Sequence, residues 1–558
     1  MKKWEILSKK RTGEVIKRLL ENRGIKTKKE IEEFLNPKLN AVTIEKVGID
    51  KKQLKKALAR IKIAIKNKEQ IVIFGDYDVD GITGTAILWE TLNSMGAKAM
   101  PYIPHRIDEG YGLSIAGINN VILNLFQDPK KTKISKRIRD DKKKGLIITV
   151  DNGIVANTAV DFANKQRIDV IITDHHVRPK KLPNALTIVH TIKLCGAGVA
   201  WIVAQELKKN ITHLELVALA VVADLVPLKG ANRTLLKFGL EELRKTKRVG
   251  LLELLKEARL AKEFLGVYEI GHMIAPRLNA MGRLEYAMDS LRLICTTNPK
   301  RAVNLARLLG NTNKERQDIT LQTVLHAVEK VKNQKSKLKK LLFIVHESYE
   351  QGVIGLVAGK LVEEFYKPAI VVSKGEKFSK ASARSISGFN MIDFIRSASE
   401  FLVDVGGHPM AAGFTVETAK LPLLQKTLED KAELLLNKDL LTRNLKIDCE
   451  LSLSSININL YESLQKLSPF GMGNPEPTFL SSNVIVEDAR LVGNESKHLK
   501  LSVSNKKTGI RFEGIGFGLG ENAKIHVGDK IDIVYTIDEN EWNGEKRLQL
   551  KIKDFKKV

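Results

Sequence analysis

Short apolar runs alternate with amphipathic stretches from Ile71 to Val222. Residues 71–74, 146–150 and 170–173 read IVIF, LIITV and VIIT, and stretches of helical spacing such as TAILWETLNSMG separate them. Apolar runs of this length that alternate with helices are typical of a parallel β-sheet with helices packed on its faces. The pattern therefore predicts an α/β domain whose functional side chains lie at the carboxyl ends of the strands.

Two further patterns follow along the chain. Residues 341–414 begin with LLFIV, continue with VIGLVAGKLVEEF and PAIVVS, and predict a second α/β unit. From about residue 445 onward, short strand-like runs such as KIDIVYTID are broken by Gly and Asn, which predicts a small closed β-barrel of the OB type. Residues 236–335 are rich in Leu, Glu, Lys and Arg without turn clusters, so they are expected to be connecting helices.

The expected fold is therefore α/β and multidomain. Residues 121–145 interrupt the first unit with nine Lys or Arg between positions 130 and 144, and are interpreted as an exposed inserted loop. The expected domains are an N-terminal segment (1–44), the first α/β domain (45–235, with the insertion at about 121–145), the helical connector (236–335), the second α/β domain (336–435) and the barrel (440–558).

The charge balance narrows the class of partner. The 558 residues include 92 Lys plus Arg against 65 Asp plus Glu, which gives a formal net charge of +27. Such an excess attracts polyanions, above all nucleic acid, although a general lysine bias that leaves only a solvated surface is the alternative. The three cysteines lack metal-type spacing, and no apolar run is long enough to cross a bilayer. We expect a cytoplasmic protein without membrane association.

An acidic stretch follows the first apolar run. Asp76, Asp78 and Asp80 alternate within the sequence GDYDVDG. If this segment is extended, side chains two residues apart point the same way, and the three carboxylates converge. Converging carboxylates repel one another unless a cation lies between them, so the stretch predicts a metal site. A solvated turn is the alternative when the stretch is taken alone.

More metal-type ligands follow other predicted strands. Asp151 lies in TVDNG, while Asp174, His175 and His176 lie in TDHH; Asp224 lies in ADLVP and is also expected at a strand end. Each alone could be a capping acid or a core histidine. Together, carboxylates and imidazoles favour Mn²⁺ or Mg²⁺ over zinc bound by cysteine.

These motifs carry a family resemblance. In this order, GDYDVDG, TVDNG, TDHH and ADLVP resemble the motifs of the DHH phosphoesterase superfamily. Nearly the whole chain resembles the RecJ family of single-strand-specific 5′-to-3′ exonucleases when four further passages are included. These passages are PHRIDEGYG, PRLNAMGR, GGH with AAGF, and PFGMGNPEP. The resemblance implies a DHH parallel-sheet domain, a helical connector, a DHHA1 α/β domain and a C-terminal OB-type barrel.

The resemblance also implies a mechanism. Two metal ions, Mn²⁺ or Mg²⁺, would hydrolyse phosphodiester bonds of single-stranded DNA and release 5′-mononucleotides in DNA repair and recombination. The metal ligands would be Asp78, Asp80, Asp151, His175 and Asp224; the remaining catalytic residues would be Asp76, Asp174 and His176. Which histidine binds metal and which contacts phosphate stays open. The substrate would be bound by Arg106, Arg277, Asn279, Arg283, Ser382, Arg384, Gly407 and His408.

Partners and alternatives complete these expectations. In the barrel, Phe470, Phe479, Phe512 and Trp542 could stack on bases, although at least half of them are expected in the core. A single-strand-binding protein and a RecQ-type helicase are expected partners of a monomeric enzyme. Two rival hypotheses are a phosphoesterase of smaller substrates, such as dinucleotides, and a binding protein with an inactive site. The barrel segment argues against the first, and retention of every metal motif argues against the second.

Overall fold

The computed structural model describes residues 2–8, 14–123, 145–333, 339–506, 508–520, 524–542 and 545–558. These residues form two compact units, one made of Lys38–Leu441 and the other of Met1–Pro37 together with Thr442–Val558. Residues 124–144 of the predicted basic loop lie outside the described residues. Within the described ranges, none of the helices has the length and apolarity needed to traverse a bilayer.

The N-terminal segment contributes to both units. Strand β1 (Lys3–Ser8) and helices α1 (Val15–Asn22) and α2 (Lys28–Leu35) belong to the unit that contains the C-terminal strands. Helix α2 begins with a capping box, in which the Thr27 side chain accepts from the Glu30 N–H and the Glu30 carboxylate accepts from the Thr27 N–H. The prediction treated residues 1–44 as one segment, but the two compact units divide after residue 37.

A parallel sheet forms the centre of the first α/β domain, as the apolar runs predicted. Its five strands lie in the order β3-β2-β4-β5-β6, and every pair is parallel. The strands are β2 (Gln70–Phe74), β3 (Lys98–Tyr102), β4 (Gly145–Val150), β5 (Ile168–Asp174) and β6 (Thr187–His190). The helices of this region are α3 (Ile44–Val47), α4 (Lys51–Lys66), α5 (Val79–Ser94), α6 (Ile115–Val121) and α7 (Asn157–Lys165).

Helices of the predicted connector share the apolar core of this sheet. Leu251, Leu278 and Ile294 pack in the same buried cluster as Ile71 and Ile148. The helices after the sheet are α8 (Gly196–Leu207), α9 (Leu214–Ala223), α10 (Gly230–Arg244), α11 (Val249–Glu257), α12 (Val267–Glu269), α13 (Ala275–Leu284), α14 (Met288–Cys295) and α15 (Pro299–Lys332), with a π-helical segment (Ile270–Ile274) between α12 and α13.

Helix α15 links the two α/β domains. Ala302, Ala306 and Leu309 in its first half belong to the core of the first sheet. Ala327 and Val331 in its last turns belong to a core that also contains residues of the second sheet. Because one continuous helix of 34 residues contributes to both cores, it fixes the two domains relative to each other.

The second sheet is mixed. Its order is β10-β11-β9-β8-β7; only β7 and β8 pair in parallel. The strands are β7 (Leu342–His346), β8 (Ala369–Ser373), β9 (Phe378–Arg384), β10 (Leu402–His408) and β11 (Ala411–Glu417). The helices are α16 (Ile354–Phe365), α17 (Met391–Arg396) and α18 (Leu421–Leu435).

The C-terminal strands close into a barrel, which confirms the predicted architecture. Strands follow the order β13-β14-β15-β17-β16, and β16 pairs again with β13. The predicted strand in LKIDCEL is β12, which pairs in parallel with β1 and β13 and lies outside the closed five. The elements are β12 (Asn444–Glu450), α19 (Ile458–Gln465), β13 (Phe479–Val492), β14 (His498–Ser504), β15 (Arg511–Gly516), β16 (Lys530–Trp542) and β17 (Glu545–Lys557).

The sequence PFGMGNPEP has a structural role in this unit. Asn474 is fully buried and donates hydrogen bonds to the carbonyls of Leu467 and Pro469. Its side-chain oxygen accepts a hydrogen bond of 2.8 Å from Nε of Arg23, and Arg23 is the residue that caps the C-terminus of α1. The motif therefore joins the N-terminal helices to the barrel.

Candidate metal centre and phosphate pocket

The acidic stretch after β2 forms a tight strand-to-helix turn. Asp76 lies in the turn, Asp78 caps α5 by accepting from the Gly81 N–H at 3.1 Å, and Asp80 lies in the first turn of α5. The expectation of an extended segment was wrong, because the helix begins inside the motif. A side chain at Gly81 would place its Cβ 2.5 Å from the Asp76 nitrogen, so the turn requires glycine there.

Asp80 is held by the N-terminus of a second helix. Its two carboxylate oxygens accept hydrogen bonds of 2.6 Å from the backbone N–H groups of Gly196 and Ala197, the first residues of α8. Unpaired N–H groups and the helix dipole make this end of a helix favourable for an anion. Asp80 therefore links α5 to α8 and has a structural role as well.

Two other buried carboxylates keep an oxygen without a hydrogen bond. Asp76 and Asp151 are 1% and 2% exposed, and Oδ1 of each accepts none. Asp151 follows β4 with a φ of +63°, in the left-handed region that costs a non-glycine residue energy. His175 Nε2 lies 3.0 Å from Asp151 Oδ1. Buried carboxylate oxygens without a hydrogen bond are suited to bind a cation.

The motif TDHH ends β5 and orients both histidines. Asp174 Oδ1 accepts from the backbone N–H groups of His175 and His176, and lies 2.8 Å from His176 Nδ1; its Oδ2 accepts from the Ile154 N–H. His175 Nε2 lies 3.6 Å from Asp80 and 3.7 Å from Asp224. Asp174 thus fixes His176, while His175 points into the acidic cluster.

Asp224 reaches the cluster from a helix. We predicted it at a strand end, but it is the residue that caps the C-terminus of α9. The apolar run VALAVV before it forms a buried helix that packs among the helices α5, α8 and α10. The error concerns only the element, since Asp224 lies beside His175 as expected of a ligand.

The cluster offers three groups of metal-type ligands. Atoms within 4.8 Å of one another come from Asp76, Asp78 and Asp151, from Asp80, His175 and Asp224, and from Asp151, His175 and His176. Burial and then neighbouring carboxylates raise the pKa values of Asp76 and Asp151 well above normal, and that of Asp224 to about 8. Such repulsion disfavours the fully ionised cluster without cations. Oxygen and imidazole ligands fit Mn²⁺ or Mg²⁺.

The two histidines differ in protonation. Burial lowers the pKa of His175 and keeps it neutral, as a metal ligand must be. Burial also opposes the charge of His176, but the hydrogen bond to Asp174 and its charge prevail and raise the pKa of His176 to about 9. The ring of His176 stacks on that of His408, with centroids 5.8 Å apart and planes at 14°.

A cavity of about 380 Å³ adjoins the acidic cluster, and residues of both the first and the second α/β domain line it. Arg106 and Asp78 come from the first domain, and Ser382 and Arg384 from β9 of the second. Arg384 Nη1 donates to Ser382 Oγ at 3.2 Å. Burial, and then the charges of Arg106, Arg316 and Arg384, lower the pKa of Arg283 to about 10. Concentrated arginines are suited to bind an anion such as a phosphate group.

The other predicted substrate residues have different positions. Asn279 and Arg283 line the cavity, and Asn279 Oδ1 accepts from the Val79 N–H at 2.9 Å. Arg277 does not line it; its guanidinium pairs with Glu257 at 2.5 Å and is thereby directed toward α11. Gly407 on β10 has a φ of +139°, and a Cβ there would lie 2.3 Å from a backbone carbonyl oxygen. This turn of the backbone precedes His408, which contacts His176.

Sequence reasoning missed two aromatic residues of the site. The Arg106 guanidinium lies 5.0 Å from the centre of the Tyr77 ring. Tyr111 packs edge-on against Tyr77, and its hydroxyl lies 3.2 Å from His176 Nε2. Both tyrosines lie inside motifs that were quoted for their charges and glycines. An aromatic residue between two aspartates was a signal that could have identified Tyr77, and a tyrosine between two glycines could have pointed to Tyr111.

Three family models match the chain. They are the DHH family N-terminal domain at residues 70–223, the DHHA1 domain at 337–434 and the RecJ OB domain at 447–554. The single-stranded-DNA-specific exonuclease RecJ of Escherichia coli is 30% identical over 573 residues, which cover 96% of this chain and 94% of that protein. The chain belongs to the RecJ family.

Other RecJ proteins show the same relationship. The Bacillus subtilis RecJ is 36% identical over 90% of this chain, and the match spans 63% of that relative's length. Crystal structures of Thermus thermophilus RecJ with Mn²⁺ and with Mg²⁺ superpose with TM-scores of 0.81 and 0.76, at 27% and 26% identity. They cover 98% and 100% of this chain and 76% and 78% of theirs.

The barrel aromatics that could stack on bases in this RecJ chain are mostly core residues. Phe479 is fully buried, and Phe470 and Phe512 are partly buried against the barrel core. The side chain of Trp542 lies outside the described residues. Phe517, which the sequence reasoning did not single out, is 60% exposed and packs edge-on against His498 at 5.3 Å.

Proposed function

We propose that this chain is a metal-dependent exonuclease that degrades single-stranded DNA from its 5′ end and releases 5′-mononucleotides. One observation carries the proposal: Asp78 belongs both to the buried acidic cluster and to the wall of the arginine-lined cavity. A terminal phosphate bound by the arginines would therefore lie beside the acidic cluster, which would cleave the adjacent phosphodiester bond. Membership of the RecJ family supports the same activity.

The cluster would hold two ions, Mn²⁺ or Mg²⁺. We assign Asp78, Asp80, Asp151, His175 and Asp224 as metal ligands. Asp76 would support the cluster through its unpaired oxygen, and Asp174 by orienting His176. When bound, a pair of divalent ions generates a nucleophile from water and stabilises charge on the attacking and leaving oxygens of a phosphodiester.

His175 and His176 would have different roles. His175 is neutral and directed at three carboxylates, which suits a ligand. His176 carries a proton at neutral pH and lies between Tyr111 and His408. We propose that His176 and His408 contact the scissile phosphate, since a protonated imidazole donates to an anionic oxygen.

The cavity would fix the 5′ end. Arg106, Ser382 and Arg384 would bind a terminal 5′ phosphate from two sides, while Asn279 and Arg283 would line the path of the strand. Arg384 suits this role because a guanidinium can bind a phosphate through two parallel hydrogen bonds. A terminus held in this way places the first phosphodiester at the cluster, which makes the enzyme act from the 5′ end.

The biological setting follows from the same proposal. A chain with a complete site in one subunit can act as a monomer in the cytoplasm, during DNA repair and recombination. A single-strand-binding protein and a RecQ-type helicase are the expected partners, because they hold and supply the single strands that it would degrade.

The proposal is tested with one oligonucleotide labelled at either end. With Mn²⁺, a 5′ label is expected to appear at once in a mononucleotide, whereas a 3′ label stays in long products until late. A duplex with blunt ends should remain uncut. Release of the 3′ label first, or no release at all, would contradict the proposal. Faster cleavage of a dinucleotide than of a long strand would favour the smaller-substrate alternative.

A further inference from the structure

An exposed pair of rings lies on residues 38–441, outside the site described above. The rings of Tyr268 and His272 stack with centroids 4.5 Å apart and planes at 20°. Tyr268 is 64% exposed, and Phe264, four residues earlier, is 80% exposed. Tyr268 and His272 are called the aromatic platform below. Exposed aromatic rings are surfaces on which nucleic-acid bases can stack.

The aromatic platform shares a helix with residues of the cavity. Helix α12, the π-helical segment and α13 follow one another directly from Val267 to Leu284. Within α13, Asn279 and Arg283 are four residues apart and share a face. The aromatic platform precedes that face along the same run of helical turns, with the π-helical segment between Tyr268 and Asn279. At no more than about 1.5 Å per residue, His272 lies within about 10 Å of Asn279 along the axis.

The order of these residues along the helical run gives it a direction. Arg283 lines the cavity with Arg106 and Arg384. One helical turn earlier, Asn279 accepts a hydrogen bond from the backbone N–H of Val79, the residue after Asp78. The aromatic platform comes next in the same direction. At its base, a Cβ on Gly271 would lie 3.5 Å from Val222, two residues before Asp224.

A strand bound along this helical run would meet three sites in order. Its 5′ phosphate would lie at the arginines, its scissile phosphate at the acidic cluster beside Asp78, and its next nucleotides over the aromatic platform. The continuous helix is the reason for naming the strand, and not another protein, as the occupant. Base stacking on an aromatic ring tolerates any sequence, as a nuclease without sequence preference requires.

We propose that Tyr268 and His272 stack on unpaired bases that lie on the 3′ side of the scissile phosphate. The proposal rests on the exonuclease function stated above, and adds a binding site for the incoming strand. A duplex cannot use this site, because its bases are already stacked on their neighbours. The aromatic platform would therefore contribute to affinity for long single strands and to discrimination against duplex.

A binding experiment tests the platform without hydrolysis. Single strands of about 12 nucleotides carry the fluorescent base 2-aminopurine at successive positions from the 5′ end, and EDTA prevents cleavage. The full-length chain should quench the probe strongly at one or two internal positions near the 5′ end. Tyr268→Ala should lose this quenching and raise Kd about tenfold. Tyr268→Phe, which keeps the ring, should behave like the unmodified chain.

Leu434→Ala provides the matched control. Leu434 is 87% exposed on α18, a helix that carries none of the assigned residues, so its truncation removes only surface apolar area. It should change neither quenching nor Kd. With Mn²⁺, Tyr268→Ala should raise KM for the long strand about tenfold and leave cleavage of a 5′-phosphorylated dinucleotide unchanged, because a dinucleotide does not reach the platform.

Three outcomes would overturn the platform. The first is unchanged quenching in Tyr268→Ala. The second is an equal loss of quenching and affinity in Tyr268→Phe and Tyr268→Ala. The third is an equal loss of cleavage activity of Tyr268→Ala on the dinucleotide and on the long strand. Failure of the exonuclease function would look different. The unmodified chain would then release no nucleotide with Mn²⁺, while the EDTA binding experiment would still report whether Tyr268 contacts bases.

Discussion

The two sheets of residues 38–441 contribute opposite charges to one cavity, and they do so by different structural means. In the first domain, carboxylates follow parallel strands at turns into helices and are 1% to 2% exposed at Asp76 and Asp151. In the second, Lys380, Ser382 and Arg384 alternate along β9 and share one side of the strand. The acids crowd one another, whereas Lys380 and Arg384 are spread along one side of the central strand β9.

This difference separates chemistry from positioning. The acidic cluster is costly to bury and is stabilised only when cations bind, so its members should be essential for hydrolysis. The basic side contains groups that each bind part of an anion, so losing one of them should weaken binding by a limited factor. The predictions below test this contrast.

The largest effect is expected at the acidic side. Asp151→Asn should lower hydrolysis by about a thousandfold, while the metal-free chain melts no lower than the unmodified one, because the substitution removes one of the buried carboxylates that repel one another. Asp80→Asn should abolish activity equally but also lower Tm, since an amide cannot accept both backbone hydrogen bonds of α8. Thermal melts and single-strand cleavage of both variants distinguish the two acids. Equal Tm values for Asp151→Asn and Asp80→Asn would contradict the additional structural role of Asp80.

A smaller effect is expected at the basic side. Arg384→Ala should slow cleavage of a 5′-phosphorylated strand about tenfold to a hundredfold, because one of the charged donors to the phosphate is lost. Cleavage of the same strand with a 5′ hydroxyl should change little. Lys377→Ala, just before β9, is the control and should leave both rates unchanged. If both strands slow equally, Arg384 does not recognise the terminus.

Removing the barrel unit should affect binding more than turnover. Because β1, α1 and α2 belong to the barrel unit, the appropriate truncation is residues 38–441 and not a deletion of the C-terminus alone. The truncated protein should bind a long single strand about tenfold more weakly and keep its kcat at saturating substrate. A truncated protein with unchanged affinity and lower kcat would show that the barrel serves catalysis instead.

The smallest effect concerns pH and metal removal. The pKa of Asp224 is raised to about 8 in the folded chain, so its contribution to stability is present at low pH and is lost as pH rises through about 8. In EDTA, Tm should therefore fall by a few degrees between about pH 6 and about pH 9 relative to Asp224→Asn. In the unmodified chain, added Mn²⁺ should abolish this fall in Tm with pH. A Tm difference that does not depend on pH would contradict the assigned shift.

Much of this arrangement could be predicted from sequence, and the reasons are local. Buried parallel strands are uninterrupted apolar runs, so the positions of Asp76, Asp151 and Asp174 followed directly. Strands β3 and β6 were not predicted, because KAMPY contains proline and alternates in exposure while TIVH has only four residues. Short edge strands owe their structure to the neighbour that they pair with, which no local pattern reveals.

Other features depend on distant segments. Asp224 follows a helix because VALAVV packs among the helices α5, α8 and α10, yet the same letters suit a strand. Arg277 was expected in the strand's path, but Glu257, 20 residues earlier, binds its guanidinium. The N-terminal helices join the barrel through Arg23 and Asn474, which are 451 residues apart. Such pairings arise from tertiary structure alone.

The most direct measurement is a crystal of the full chain soaked with Mn²⁺ and examined by anomalous scattering. Two peaks about 3.5–4 Å apart are expected among Asp78, Asp151, His175 and Asp224, and the pair should be disrupted in Asp151→Asn. A single peak, or peaks confined to other parts of the surface, would contradict the claim that these carboxylates and His175 hold a pair of catalytic ions.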